Sequence, residues 1–186
     1  MKIYVASSWR NQFQPQIVSL LREAGHSAYD FRNPGPERHG FGWEELNEKW
    51  KEWTPDQFRR ALEHPIANAG FKSDFEAMQW ADACVLILPC GRSAHSEAGY
   101  MAGQQKPVHV LMLDRQEPEL MYKMFDSICI SRDELLDTLM EQEIANQWLC
   151  TCGYFIEDGS CHCPQCHREA PWGCEHRRED EITDFE

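Results

Sequence analysis

The sequence predicts an α/β fold, an open doubly wound parallel sheet of about five strands, with a small cysteine-rich module behind it. Two observations carry this. Short β-rich runs alternate with stretches of helical periodicity over the first 147 residues, an order that feeds a parallel sheet through right-handed crossovers. Six of the nine cysteines then crowd between Cys150 and Cys174, which marks a change of organisation near residue 148. The expected division is 1–147 for the α/β part, 148–178 for the cysteine-rich module and 179–186 for an acidic disordered end.

Lys2 to Ala6 reads as a buried first strand. From Pro15 to Ala24, Ile17, Leu20, Leu21 and Ala24 recur at helical spacing, and Gly25 stops the helix. His26 to Phe31 is a second strand, closed by Asn33-Pro34-Gly35-Pro36. Residues 32–66 carry Phe41, Trp43, Trp50, Trp53 and Phe58 and read as two short helices over one end of the sheet. One of them starts at the capping signature Thr54-Pro55-Asp56-Gln57. These aromatics either pack the insertion onto its domain or stack on a flat ligand. Asn68 to Trp80 is a helix, and Cys84 to Leu88 is the clearest buried strand. A helix from Ala94 to Gln104, capped by Ser93, follows. Next come a strand from Val108 to Leu113, a helical turn from Pro118 to Met124 and an edge strand from Ser127 to Ile130. The last helix, opened by Ser131-Arg132-Asp133-Glu134, runs to about Gln147.

The net charge of −13 speaks against a nucleic-acid backbone as partner, since such binders cluster Lys and Arg. A small anion needs only one or two local arginines. No apolar run approaches the roughly 20 residues that span a bilayer. The apolar start is too short for a signal peptide before Trp9-Arg10-Asn11-Gln12, so the expected compartment is the cytoplasm. No organic cofactor is expected.

Ligands of such sheets bind at the carboxyl ends of the strands. Three places there offer chemistry: Ser7-Ser8-Trp9-Arg10 after strand 1, Asp74 on the helix before strand 3, and Gly91 to Tyr100 after strand 3. The glycine turn into the last of these presents backbone N–H groups to an anion. Glu97, in the second helical turn, reads either as a carboxylate nucleophile or as a favourable charge near a helix start.

Ile3-Tyr4-Val5-Ala6-Ser7, Asp74, Ser96-Glu97-Ala98-Gly99-Tyr100 and Gln105-Lys106-Pro107-Val108 fall in the order found in the nucleoside 2-deoxyribosyltransferases. The chain resembles that family, whose sheet is flavodoxin-like, and its relatives that hydrolyse deoxynucleoside 5′-monophosphates, over residues 2 to about 130. The resemblance implies that Glu97 is the nucleophile attacking the anomeric carbon. It implies that Tyr4 holds that carboxylate and that Asp74 handles the proton on the base. Without it, Tyr4 is an ordinary strand aromatic and Asp74 a solvated helix charge. Met121 matches a methionine that packs on the ligand, often in a neighbouring subunit's site, or else it fills the core. Arg10 stands where the monophosphate-hydrolysing relatives carry an arginine, and with Gly91, Arg92 and Ser93 it would clamp a 5′-phosphate; its plain alternative is a surface arginine.

Two departures lean towards phosphorylated substrates. The transferases carry an acidic residue about six positions before the nucleophile, where this chain has Gly91-Arg92-Ser93. Their chain also ends near the site, whereas here a long tail follows. The implied partner is a small nucleoside or nucleotide, and the implied assembly a homo-oligomer. The runner-up is a non-catalytic nucleotide sensor.

Cys150-Thr151-Cys152-Gly153 and Cys163-Pro164-Gln165-Cys166 are turns offering two thiolates each, a spacing that suits tetrahedral structural zinc. Cys161, His162, His167, Cys174 and His176 are further candidate ligands. From Cys150 to Glu186 nine acidic residues stand against three basic ones, which argues against a DNA-reading finger. The module would instead dock a protein partner, cover the site or cap the last helix.

Overall fold

The computed structural model describes residues 1–35, 40–145, 148–149 and 155–156. Contacts divide the chain into two units, Met1–Asp137 and Thr138–Glu186. In the first unit five strands pair in parallel: β1 (Lys2–Ala6), β2 (Ser27–Tyr29), β3 (Ala83–Ile87), β4 (Val108–Leu111) and β5 (Ser127–Cys129), in the order β2-β1-β3-β4-β5. This is the open parallel sheet that the alternating pattern predicts.

The helices are α1 (Gln14–Glu23), α2 (Pro55–Ala61), α3 (Pro65–Trp80), α4 (Arg92–Gly103) and α5 (Arg132–Ala145), the last running across the division between the units. Right-handed crossovers put α1 on one face of the sheet and α3 and α4 on the other. Tyr4, Ala6, Cys84, Leu86, Val108 and Val110 line the second face and are buried against Ala77, Met78, Ala94, Ala98 and Met101. Their alternates Ile3, Val5, Val85 and Ile87 point to the first face, and Ile17, Val18 and Leu21 of α1 are buried with them. Strand order reverses between β1 and β3, so the crevice of the fold opens at their carboxyl ends.

Several boundaries differ from the sequence expectation for local reasons. β2 stops at Tyr29 because Asp30 turns the chain: its Oδ1 accepts Arg32 N at 3.0 Å and Gln14 Nε2 at 2.7 Å. α3 begins at Pro65 rather than Asn68, since His64 Nδ1 accepts Ile66 N at 3.3 Å and Pro65 fits the first helical position. α4 begins at Arg92 and its cap is Gly91, not Ser93. Gly25, at φ +92°, closes α1 in the left-handed region. Thr54 and Gln57 form the expected reciprocal cap of α2.

The insertion between β2 and α3 carries two 3₁₀ turns, Trp43–Glu45 and Trp50–Glu52, besides α2. Trp43 meets Phe41, Trp53 and Phe58 edge-on at 4.8–5.7 Å, so these rings pack the insertion together. Gly70 lets it lie close on α3, because a Cβ there would sit 2.6 Å from that of Phe41. A third 3₁₀ turn, Leu120–Met124, precedes β5.

Of the second unit, the description covers the end of α5 and an antiparallel pair, β6 (Trp148–Leu149) with β7 (Phe155–Ile156). The cysteines from Cys150 to Cys174, their neighbouring histidines and the acidic end lie outside the described residues. No described helix is long and apolar enough to cross a membrane.

Candidate active site

The register Tyr4↔Tyr29 across β1 and β2 sets two tyrosines side by side on the face covered by α3 and α4. Their rings stack with centroids 5.5 Å apart and planes 13° from parallel. The Tyr4 hydroxyl stands by the Glu97 carboxylate of α4 and favours its ionised form. The Tyr29 hydroxyl donates to Asp74 Oδ1 of α3 at 2.8 Å and lies 3.1 Å from Ser73 Oγ. Two carboxylates on two helices thus each lie by one member of a stacked pair of phenols.

Burial shapes the protonation of all four. Glu97 is pushed up to about 7 by desolvation and then by the charge of Asp74, against the lowering effect of the Tyr4 hydrogen bond. Burial also raises Asp74, opposed by the bond from Tyr29. Both phenols stand far above their ordinary range, chiefly through desolvation, and remain donors at any working pH. The charge of Asp74 raises Glu97, so the two carboxyls are electrostatically coupled. Such a pair can offer an ionised nucleophile and a protonated acid at once.

Asp74 and Ser73 also line a cleft of about 540 Å³, walled by Phe31, Phe41, Ile66 and Gly70. Its charged rim is mostly acidic: Glu45, Glu76 and Asp74 against Lys72, which pairs with Glu76 at 3.6 Å. Aromatic walls under a mostly acidic rim suit a heterocycle better than a phosphate.

The remaining sequence-predicted residues are placed as follows. Ser7 Oγ donates to Ile87 O at 3.0 Å, tying the ends of β1 and β3. Gly91 caps α4, and Arg92 and Ser93 are exposed in its first turn. Arg10 is exposed, and its guanidinium meets no partner among the described residues. Met121 is 53% exposed in the third 3₁₀ turn, which rules out core filling.

Other residues around the strand ends escaped the sequence reading. Tyr29 is one; its part depends on register, which no local pattern encodes. Asn11, buried, donates from Nδ2 to Ile87 O and Pro89 O, both at 3.1 Å, and so pins the turn after β3. Arg32 Nη2 donates to the carbonyls of Ser8, Trp9 and Asn11 at 2.9–3.1 Å, gathering the loop after β1. His95 Nδ1 donates to Gly91 O at 2.9 Å, since a carbonyl only accepts, and Nε2 takes the Tyr122 hydroxyl at 2.9 Å. The Cys90 thiol, 3.4 Å from His95 Nδ1, is pushed up to about 12 by burial and by the charge of Glu97, so it stays a neutral thiol and a poor nucleophile. No cluster of three or more metal-ligating side chains occurs among the described residues.

No protein-family model matches the chain, and no curated protein does. Among solved structures, the chain is similar to the 2-deoxyribosyltransferase of Bacillus psychrosaccharolyticus, at 21% identity over 74% of this chain and 91% of that one, with a TM-score of 0.48. It is similar to a conserved protein from Enterococcus faecalis V583, at 15% identity over 76% and 98%, with a TM-score of 0.49. A CMP N-glycosidase from Clostridium botulinum aligns at 14% identity over 75% and 99%, with a TM-score of 0.42.

Proposed function

We propose that this chain cleaves or exchanges the N-glycosidic bond of a nucleoside or deoxynucleoside, or of its 5′-monophosphate, through a covalent glycosyl-enzyme on Glu97. The observation that carries the reading is the pair Glu97 and Asp74 beside the stacked tyrosines, Asp74 bonded to Tyr29 and Glu97 next to the Tyr4 hydroxyl. The order of the sequence motifs around Tyr4, Asp74 and Glu97 supports it independently.

In the reaction, a Glu97 oxygen attacks the anomeric carbon as the bond to the base nitrogen breaks, and the bonding electrons leave with the base. The departing nitrogen takes its proton from Asp74. A base nitrogen that accepts a hydrogen bond from Asp74 favours the protonated acid, so substrate binding draws the shared proton to Asp74 and leaves Glu97 ionised. Tyr4 adds to this by favouring the ionised form of Glu97. Water, or a second base, then attacks the glycosyl ester from the opposite side. Asp74 recovers the proton, and Glu97 is released as carboxylate.

The base belongs in the cleft beside Asp74, between Phe31 and Phe41. A 5′-phosphate belongs at the start of α4, with Arg92, Ser93 and the exposed Arg10. Ser7 and Gly91 complete the wall of that end. We further propose a homo-oligomer in which the exposed turn at Met121 completes a neighbour's site. We also propose a structural zinc on Cys150, Cys152, Cys163 and Cys166, in a module that docks a protein partner. The test is chromatographic detection of free base from nucleosides and 5′-monophosphates: release by the native chain and none by Glu97→Ala supports the reading. Tight nucleotide binding with no release overturns it.

A further inference from the structure

Tyr29 has no place in the sequence pattern that points to Glu97, Tyr4 and Asp74, yet it is the side chain bonded to Asp74. It ends the edge strand β2, and its hydroxyl stands between Ser73 and Asp74 of α3. An ionised carboxylate only accepts, so the 2.8 Å contact has Tyr29 as donor. The phenol oxygen then has its lone pairs left for the Ser73 hydroxyl at 3.1 Å.

We propose that Tyr29 is the positioning residue of the leaving-group side, fixing which oxygen of Asp74 carries the proton to the base. With Oδ1 occupied by the tyrosine hydrogen, a proton on Asp74 rides on Oδ2, the oxygen left open to a ligand in the cleft. The inference rests on the glycosidic reading above and deepens it. The groups that face Asp74 are Tyr29 from β2, Tyr4 from β1 and Glu97 from α4; on its own helix, Ser73 and the exposed pair of Lys72 and Glu76 stand beside it. Among the described residues Tyr29 alone donates a hydrogen bond to it.

In the step concerned, the C–N bond breaks towards nitrogen, the Oδ2 proton passes to that nitrogen, and Asp74 is left as carboxylate with Oδ1 still held. The later attack of water returns one proton to Oδ2. A leaving group that departs as a stable anion needs no such proton, which gives the test its two arms.

The experiment compares the full chain with Tyr29→Phe, which keeps the stacked ring and removes the hydroxyl, and with Ser73→Ala. Substrates are a nucleoside or 5′-monophosphate turned over by the native chain and the corresponding 4-nitrophenyl glycoside. Expected is a fall in kcat of about tenfold to a hundredfold for base release with KM little changed, as for loss of a charge-assisted hydrogen bond. The nitrophenyl substrate is spared, and the alkaline limb of base release moves to higher pH because the bond that favours ionised Asp74 is gone. Ser73→Ala moves the same quantities less. Equal losses on both substrates, or none on either, overturn the role of Tyr29 while leaving the glycosidic reading intact. If the native chain releases no base, or Glu97→Ala releases it as well, the reading itself fails and the inference with it.

Discussion

Tyr4 and Tyr29 stand opposite each other on β1 and β2, 5.5 Å apart between ring centroids, and serve different carboxylates: the Tyr29 hydroxyl donates to Asp74, and the Tyr4 hydroxyl favours the ionised form of Glu97. Parallel pairing turns both residues to the face that α3 and α4 cover, so two strands set the spacing of two helices' acids. The site is therefore held by the sheet and not by loops, the arrangement that keeps catalytic groups in place most accurately.

Tyr4→Phe removes the hydroxyl that favours ionised Glu97. Glu97 then titrates above its native value of about 7, and the acidic limb of the base-release profile moves to higher pH. The loss at pH 6 is expected to be about tenfold or more, with partial recovery at pH 8. A pH-independent loss would assign Tyr4 to packing alone.

Glu97 also links pH to stability. Its carboxyl is raised from 4.5 to about 7 in the folded chain, so the folded state holds the proton more tightly than the unfolded one. The sign follows: stability is unaffected below the unfolded value, falls as pH rises from 4.5 towards 7, and stays lower beyond it. Glu97→Gln removes the penalty while keeping an acceptor for Tyr4. It is expected to raise stability at pH 8 by on the order of 2–3 kcal/mol and to change it little at pH 4.5. Denaturant unfolding at the two pH values reads the difference; an equal effect at both contradicts the buried, proton-holding carboxyl.

Arg10 and Arg32 separate binding from stability. Arg10→Ala is expected to leave stability within about 0.5 kcal/mol, because its guanidinium has no partner among the described residues. It should weaken 5′-monophosphate affinity by about tenfold while sparing the nucleoside. Arg32→Ala strips donors from three carbonyls and is expected to cost about 2–3 kcal/mol, with Arg32→Lys recovering part of it, because the three bonds come from the single nitrogen Nη2 and an ammonium also carries three donors. Isothermal titration and thermal melts check the two in parallel.

The α/β architecture was legible because β3 is an unbroken apolar run, β1 and β4 each carry a single polar residue, and helices carry a stop or cap locally, as at Gly25 and Thr54. The boundaries that moved did so where a side chain outside the pattern took over: Asp30 turning the chain after β2, His64 capping α3. Glu97, Asp74 and Tyr4 were reachable from motif order. Tyr29, Asn11 and Arg32 were not, since the partners their side chains donate to or stack on lie 21 or more residues away in sequence and are met only through the sheet and its turns. Met121 was left open between core and ligand, and its exposure settles only that it is not core.

The proposed zinc is testable without reference to activity. The purified full chain is expected to carry stoichiometric zinc that is released by mercurial titration of thiolates and lost in Cys163→Ser with Cys166→Ser. A metal-free native chain with the same melting behaviour would contradict a structural ion on those cysteines.

The most direct test of the central claim is the release of free base by the native chain and by Glu97→Ala. Both are incubated with deoxynucleosides, ribonucleosides and their 5′-monophosphates, with and without a second base. Base released by the native chain and lost in the variant, with a glycosyl adduct on Glu97 trapped by mass spectrometry, is the predicted result. No release from any substrate, or release that survives Glu97→Ala, would contradict it.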